Sequence, residues 1–232
     1  MFATRPFRNG LIALAVALAG PASALSGDEP KGEPSLLEND PKGWIDMLTG
    51  AGPELEGWVR GPIPGTAELP EKSPWSFDKA TSSLICDGSN SHEWLRLDQV
   101  LTDYVLHVEW RFEKVAGKKG YNSGVYVRTS SDQKLWHQAQ CGDGSGGYLF
   151  GETMSNYASK PFDLSKEVRD RRVKPAGEWN TYELTCRGRE VTLWVNGAVT
   201  CVMKPCPVPR GYIGVESEGY RIEFRNIRVK ML

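Results

Sequence analysis

DYVLHVEWRFEKV, residues 103–115, carries the clearest strand signal in the chain. Tyr104, Leu106, Val108, Trp110 and Phe112 fall on one side of an extended backbone, and Val105, His107, Glu109 and Arg111 on the other. A period of two marks a strand with one face in a core. Similar segments lie on both sides. WSFDKATSSLICDG from Trp75 reads as a hairpin, EWLRLDQV alternates Trp94 and Arg96 with Leu95 and Leu97, and NSGVYVR and LWHQAQC follow. From Trp179, WNTYELTCRG, REVTLWVNG and AVTCVMK form a meander with turns at Gly188 and at Asn196-Gly197, and YIGVESEG and YRIEFRNIRVKML end the chain. Regular strands with almost no helical period predict an all-β fold, a two-sheet antiparallel sandwich. Residues 148–175 show no sustained period and read as a long connection.

The 232 residues accommodate one sandwich domain, and 28 basic against 29 acidic residues provide no electrostatic drive toward nucleic acid or an anionic membrane. A neutral partner such as a carbohydrate fits better. At the N-terminus, Arg5 and Arg8 precede the apolar run Leu11–Gly20, and Ala22 and Ala24 frame a small-residue cleavage site. The run is too short to span a bilayer, so residues 1–24 are expected to be a signal peptide, with periplasmic or secreted localisation and no transmembrane segment once it is removed. Residues 25–42, rich in Pro, Gly and charge, read as a linker or N-terminal arm, and residues 43–232 as a single β-sandwich domain. Trp44 and Trp58 are expected to pack on the domain's own edge. The five cysteines form no CxxC pair, which argues against zinc; a bridge among Cys186, Cys201 and Cys206 stays open.

Functional residues concentrate between Asn122 and Gly147. Tyr126 and Arg128 alternate with Val125 and Val127, and Trp136, Gln138 and Gln140 share a face opposite Ala139 and Cys141. An Arg and two amides facing one way make a polar surface that no core requires. Asp143 follows in the glycine-rich CGDGSGG loop, where the backbone can approach a ligand closely. A carbohydrate site is the working expectation for this stretch.

The ordered motifs GW, DYVLHVEWRF, NSGVYVR, HQAQCGD, GGYLFG, KPAGEWNTYELTCRG, VTLWVNG, GYIGVE and EFRNIRVK resemble the 3-keto-disaccharide hydrolase family from about Trp44 to Lys230. The resemblance implies a concanavalin A-like jelly roll with a sugar-handling concave face. It also implies action on glycosides whose C3 hydroxyl a separate oxidoreductase has first oxidised to a ketone. The sequence departs from the family at one telling place. The family pattern has Glu-x-Gln followed by Asp, whereas this chain has Gln138, Ala139, Gln140 and then Asp143, and Phe150 stands where the family has a phenol.

A 3-keto-glycoside can be cleaved by removing the C2 proton and expelling the C1 substituent, followed by addition of water. That route needs a base, a group that polarises the ketone, and an acid for the leaving group. Glu109 is the expected base, Arg128 the polarising group and Asp143 the acid, with Asn122, Trp136, Gln138, Gln140 and Glu216 binding substrate. A divalent cation could support the same chemistry, although the sequence shows no ligand set for one. Two other readings compete with this enzyme. One is a two-carboxylate glycoside hydrolase using Glu109 with Asp143 or Glu216. The other is a non-catalytic carbohydrate-binding module with Trp136 stacked on a pyranose. The ordinary fate of Glu109 would be a cross-strand ion pair, and Glu218, His92, His107 and His137 read as solvent-exposed or packing residues.

Overall fold

The computed structural model describes residues 32–63, 68–89 and 92–232, and those from Gly32 onward belong to one compact unit. The expected signal peptide and the start of the arm lie outside the described residues. Alternating apolar residues produce strands β1 (Trp44–Asp46), β2 (Trp58–Pro62), β3 (Trp75–Asp78), β4 (Ser83–Asp87), β5 (His92–Leu97), β6 (Tyr104–Phe112), β7 (Asn122–Thr129) and β8 (Trp136–Gly142). They continue with β9 (Gly146–Ser155), β10 (Ala158–Asp163), β11 (Asn180–Arg187), β12 (Glu190–Val195), β13 (Ala198–Met203), β14 (Tyr212–Glu218) and β15 (Arg221–Met231). The first sheet runs β13-β12-β11-β6-β15-β4-β3, with β1 also paired to β15; the second runs β10-β9-β8-β7-β14-β5-β2. The described pairings are antiparallel, as expected for a jelly-roll sandwich.

The core lies between the sheets. Trp110 of β6 meets Phe112 and Tyr182 edge-on at 5.5 and 5.3 Å, and Leu84, Leu184 and Phe224 are fully buried beside them. Each such side chain stabilises the fold by about 1.5–3 kcal/mol. Trp58 is buried with its indole N–H on Met47 O (3.2 Å), and Trp44 stands edge-on to His107 at 6.1 Å, so both tryptophans pack on the domain's own edge. The five cysteines are all buried and free, so no bridge joins Cys186, Cys201 and Cys206; they act as small core hydrophobes.

The expected long connection over 148–175 is instead largely a hairpin of β9 and β10, which turns at Asn156 and Tyr157 (φ 47° and 65°). Its inward positions explain why the alternation is hidden. They are Gly147, Leu149, Gly151 and Thr153, of which only Leu149 is a large apolar residue.

The arm is anchored by one buried carboxylate. Ser35 and Glu38 close a capping box on the short helix α1 (Leu36–Asn39), and Glu183 of β11 accepts the Leu36 and Leu37 backbone N–H groups at 2.6 and 3.0 Å. Glu183 also contacts His107 Nδ1 at 2.9 Å. Removing its carboxylate takes the partner from two part-buried backbone N–H groups and from the buried His107 ring, a loss of several interactions at once. Glu183→Ala is therefore expected to lower stability by about 2–4 kcal/mol and to speed hydrogen exchange at the Leu36 and Leu37 amides. Unchanged exchange at those two amides would rule out this anchor.

Candidate functional site: a cavity on the outer face of the second sheet

A cavity of about 260 Å³ opens on the outer face of the second sheet, away from the core between the sheets. Strands β7, β8 and β14 supply most of its wall through their outward positions. Asn122 and Tyr126 come from β7, Trp136, Gln138 and Gln140 from β8, and Glu216 and Glu218 from β14. His92 of β5 and Phe150 of β9 complete the ring of functional groups. Trp136 forms an aromatic corner with Phe150 (5.3 Å, 87°) and Tyr126 (6.1 Å, 73°).

Glu216 is the polar centre. Although buried, its carboxylate accepts the Tyr126 hydroxyl at 2.8 Å and a short hydrogen bond from the Gln138 amide, and it contacts His92 Nε2 at 3.3 Å. A second chain of amides runs beside it: Gln140 donates to Asn122, and Asn122 donates to Glu218. The charges shift one another's protonation. The hydrogen bond to Glu216 raises the His92 pKa above its usual value. Burial and the neighbouring Glu216 charge raise that of Glu218. Burial and Glu216 also push the Tyr126 phenol well above its usual range, so it remains a donor.

The sequence NSG has a local reason in this geometry. Asn122 orients Glu218, and the Ser123 hydroxyl donates to the Glu216 backbone carbonyl at 2.8 Å, tying β7 to β14. Gly124 leaves room for Gln138, because a Cβ there would overlap the Gln138 Cγ, Cδ and Nε2 atoms.

Of the residues expected to act on substrate, Asn122, Trp136, Gln138, Gln140 and Glu216 all line the cavity. The three expected catalytic residues do not. Glu109 lies on the outer face of the first sheet, on the opposite side of the sandwich, where it pairs with Arg225 (2.7 Å) and accepts from Asn226 (2.6 Å). Its ion pair is the ordinary fate considered for it, with Arg225 as partner. Arg128 is turned inward because a register break between β14 and β7 puts an extra residue into β7 there, reversing the alternation. With φ 48° and no exposed surface, it donates to Gly188 O (2.9 Å) and Val208 O (3.1 Å). Asp143 is exposed in the β8–β9 turn and accepts the Ala176 backbone N–H at 2.8 Å.

Tyr126, Phe150, Glu218 and His92 join the site although no role was expected of them. Glu218 was legible, since a residue two beyond Glu216 on a strand shares its face. His92 was not, because its place depends on β5 lying next to β14. There the Glu218 and His92 Cα positions are partners, bringing an imidazole to two carboxylates. Ligand atoms of His92, Glu216 and Glu218 all lie within 4.8 Å of one another, close enough to consider a shared cation.

The fold is a jelly-roll sandwich that carries a polar, aromatic-flanked cavity on its second sheet. The model of the 3-keto-alpha-glucoside-1,2-lyase-like domain matches residues 43–230, and the chain belongs to that family. Among solved structures, it is similar to a candidate glycosyl hydrolase from Parabacteroides distasonis ATCC 8503 (TM-score 0.53, 20% identity, covering 82% of this chain and 99% of that one). It is also similar to the carbohydrate-binding module CBM66 from Bacillus subtilis (TM-score 0.51, 10% identity, covering 75% and 95%). At these identities the likeness is one of fold. The comparison with curated proteins found no match.

Two outcomes are expected from this geometry. Gly124→Ala should displace Gln138 from Glu216 and lower stability by about 1–3 kcal/mol, as loss of a buried hydrogen bond to a carboxylate does, without changing the sheet order; thermal melts measure the first and circular dichroism guards the second. Glu109 is buried in part, which favours its protonated form, but the His107 ring 3.8 Å away and hydrogen bonds from Asn226 and Arg225 outweigh this and hold it at about 2, below its ordinary 4.5. The depressed value stabilises the fold above the unfolded pKa, and that stability is lost as pH falls from about 5 toward 2. Glu109→Gln should therefore flatten the acid limb of the stability profile, lower neutral-pH stability by about 1–3 kcal/mol, and leave sugar binding in the cavity unaltered. Thermal melts from pH 7 to 2 would show it.

Proposed function

We propose that the cavity binds one ring of a 3-keto-glycoside and cleaves its glycosidic bond by elimination and hydration, outside the cytoplasm, where the N-terminal segment would direct the chain. The observation that carries this reading is the pairing of two carboxylates with an imidazole on a wall otherwise made, apart from Ile63, of amides and aromatics. Sugar hydroxyls suit the amides of Gln138, Gln140 and Asn122, and the ring face suits Trp136.

Glu218 replaces Glu109 as the base. Glu216 is held by Tyr126 and Gln138, whereas Glu218 is less buried and, among the described residues, has only the Asn122 amide as a side-chain hydrogen-bond donor. Its carboxylate takes the C2 proton, and the C–H electron pair forms the C2–C3 double bond of an enolate at the former ketone. Collapse of the enolate restores the C3 carbonyl, forms a C1–C2 double bond and breaks the bond from C1 to the leaving oxygen. That oxygen takes a proton, for which the carboxylic acid just formed on Glu218 is the candidate donor. Water then adds its oxygen to C1 and its hydrogen to C2, giving the free 3-keto sugar. A separate oxidoreductase would supply the ketone.

Gln138 favours a second reading, a sugar-binding module without turnover, because it puts an amide where the family pattern has an acid. The purified protein should cleave a 3-keto-disaccharide and leave the unoxidised disaccharide intact. Glu218→Gln should lower kcat by about 10²–10⁴-fold with a much smaller change in KM. Equal cleavage of both sugars would sink the elimination route in favour of two-carboxylate hydrolysis, and binding of the keto sugar without turnover would establish the binding module.

A further inference from the structure

We propose that His92, Glu216 and Glu218 hold one divalent transition-metal cation of the Mn²⁺ class on the cavity wall. The three ligand atoms lie within 4.8 Å of one another, so small side-chain movements bring them to metal-bonding distances of about 2.0–2.2 Å. The site is built on paired strands. Glu216 and Glu218 share one face of β14, and His92 lies opposite Glu218 in register on β5, so the backbone sets the spacing.

Charge points to the same occupant. The cavity lining contains two carboxylates and one imidazole but no Lys or Arg, so the described wall carries no fixed positive charge to offset both acids. Two carboxylates converging beside one imidazole are a charge pattern that a divalent cation offsets. Donors outside the triad orient both acids, Tyr126 and Gln138 on Glu216 and Asn122 on Glu218, the arrangement that aligns ligands in metal sites. One nitrogen with two carboxylate oxygens suits Mn²⁺ and its neighbours better than Ca²⁺, which prefers oxygen alone.

The consequence for chemistry rests on the sugar reading above. The C2 hydroxyl and C3 carbonyl of a 3-keto sugar present two oxygens that can chelate one cation. Bound there, the cation draws electron density from the carbonyl, acidifies the C2 hydrogen and stabilises the enolate oxygen. A carboxylate that ligates through one oxygen keeps the other available, so Glu218 can be a ligand and still receive the proton.

The test reads binding rather than turnover. Metal-stripped protein is titrated with Mn²⁺, followed by electron paramagnetic resonance, and is expected to bind one Mn²⁺ per chain. His92→Ala and Glu218→Gln should each weaken binding about tenfold or more while circular dichroism stays unchanged. No saturable binding, or equal binding by both variants and the parent, overturns the proposal. A parallel titration with a 3-keto-disaccharide separates the two readings: sugar bound without any Mn²⁺ site overturns the cation alone, whereas one Mn²⁺ lost in both variants without sugar binding upholds the cation and overturns the sugar reading.

Discussion

The buried carboxylate of Glu216 is the constraint around which the second sheet is arranged. A charge taken from water this completely persists only where donors surround it. Tyr126, Gln138 and His92 reach it from three strands, and its own backbone carbonyl receives the Ser123 hydroxyl. Each requirement propagates outward. Gln138 can cross β7 only because residue 124 has no side chain, and Tyr126 keeps its angle by standing against Trp94 and Trp136 at 5.8 and 6.1 Å. Aromatic packing thus sets the direction of the phenol, and the phenol helps set the charge.

The outer face of the first sheet obeys the same rule with a different result. Glu183 satisfies backbone groups of the arm, and Glu109 is surrounded by Arg225, Asn226 and His107. Burial lowers the His107 pKa, but the Glu109 carboxylate 3.8 Å away and the hydrogen bond to Glu183 outweigh it and raise the value above normal. Trp179 lies between two guanidiniums, 4.6 Å from Arg111 and 3.8 Å from Arg225. Acids there are matched by cations and covered by chain, whereas the second sheet keeps acids without a Lys or Arg beside its cavity. That contrast, rather than the number of polar residues on either face, separates a structural surface from a site.

How much of this was legible follows from what alternation can encode. The two-sheet fold was readable because β6, β11 and β12 place apolar residues at every second position, and β15 does so on either side of one bulge. The β9–β10 hairpin was not, since glycines and a threonine occupy most of its inward positions. Period-two reasoning correctly grouped Trp136, Gln138 and Gln140, but it failed at Arg128, where one extra residue reverses the face. It could not choose between sheets either, so Glu109 carried the same signal as Glu216. Strand order made that choice, and strand order comes from long-range pairing that no local pattern records.

The exchange of acid for amide at position 138 becomes intelligible on the folded sheet. Tyr126 of β7 lies between its partners Gln138 on β8 and Gly214 on β14, and the Gln138 side chain reaches over β7 to Glu216. The cavity therefore still has a carboxylate at the place toward which position 138 points, carried by the strand on the far side. An acid at both positions would put two like charges in contact within a buried pocket, at a cost of several kcal/mol unless one were protonated. Gln138 as a donor removes that conflict and fixes the orientation of Glu216. The amide is thus a consequence of where the acid sits, and it leaves Glu218, the neighbour on the same face, as the more accessible carboxylate facing the cavity.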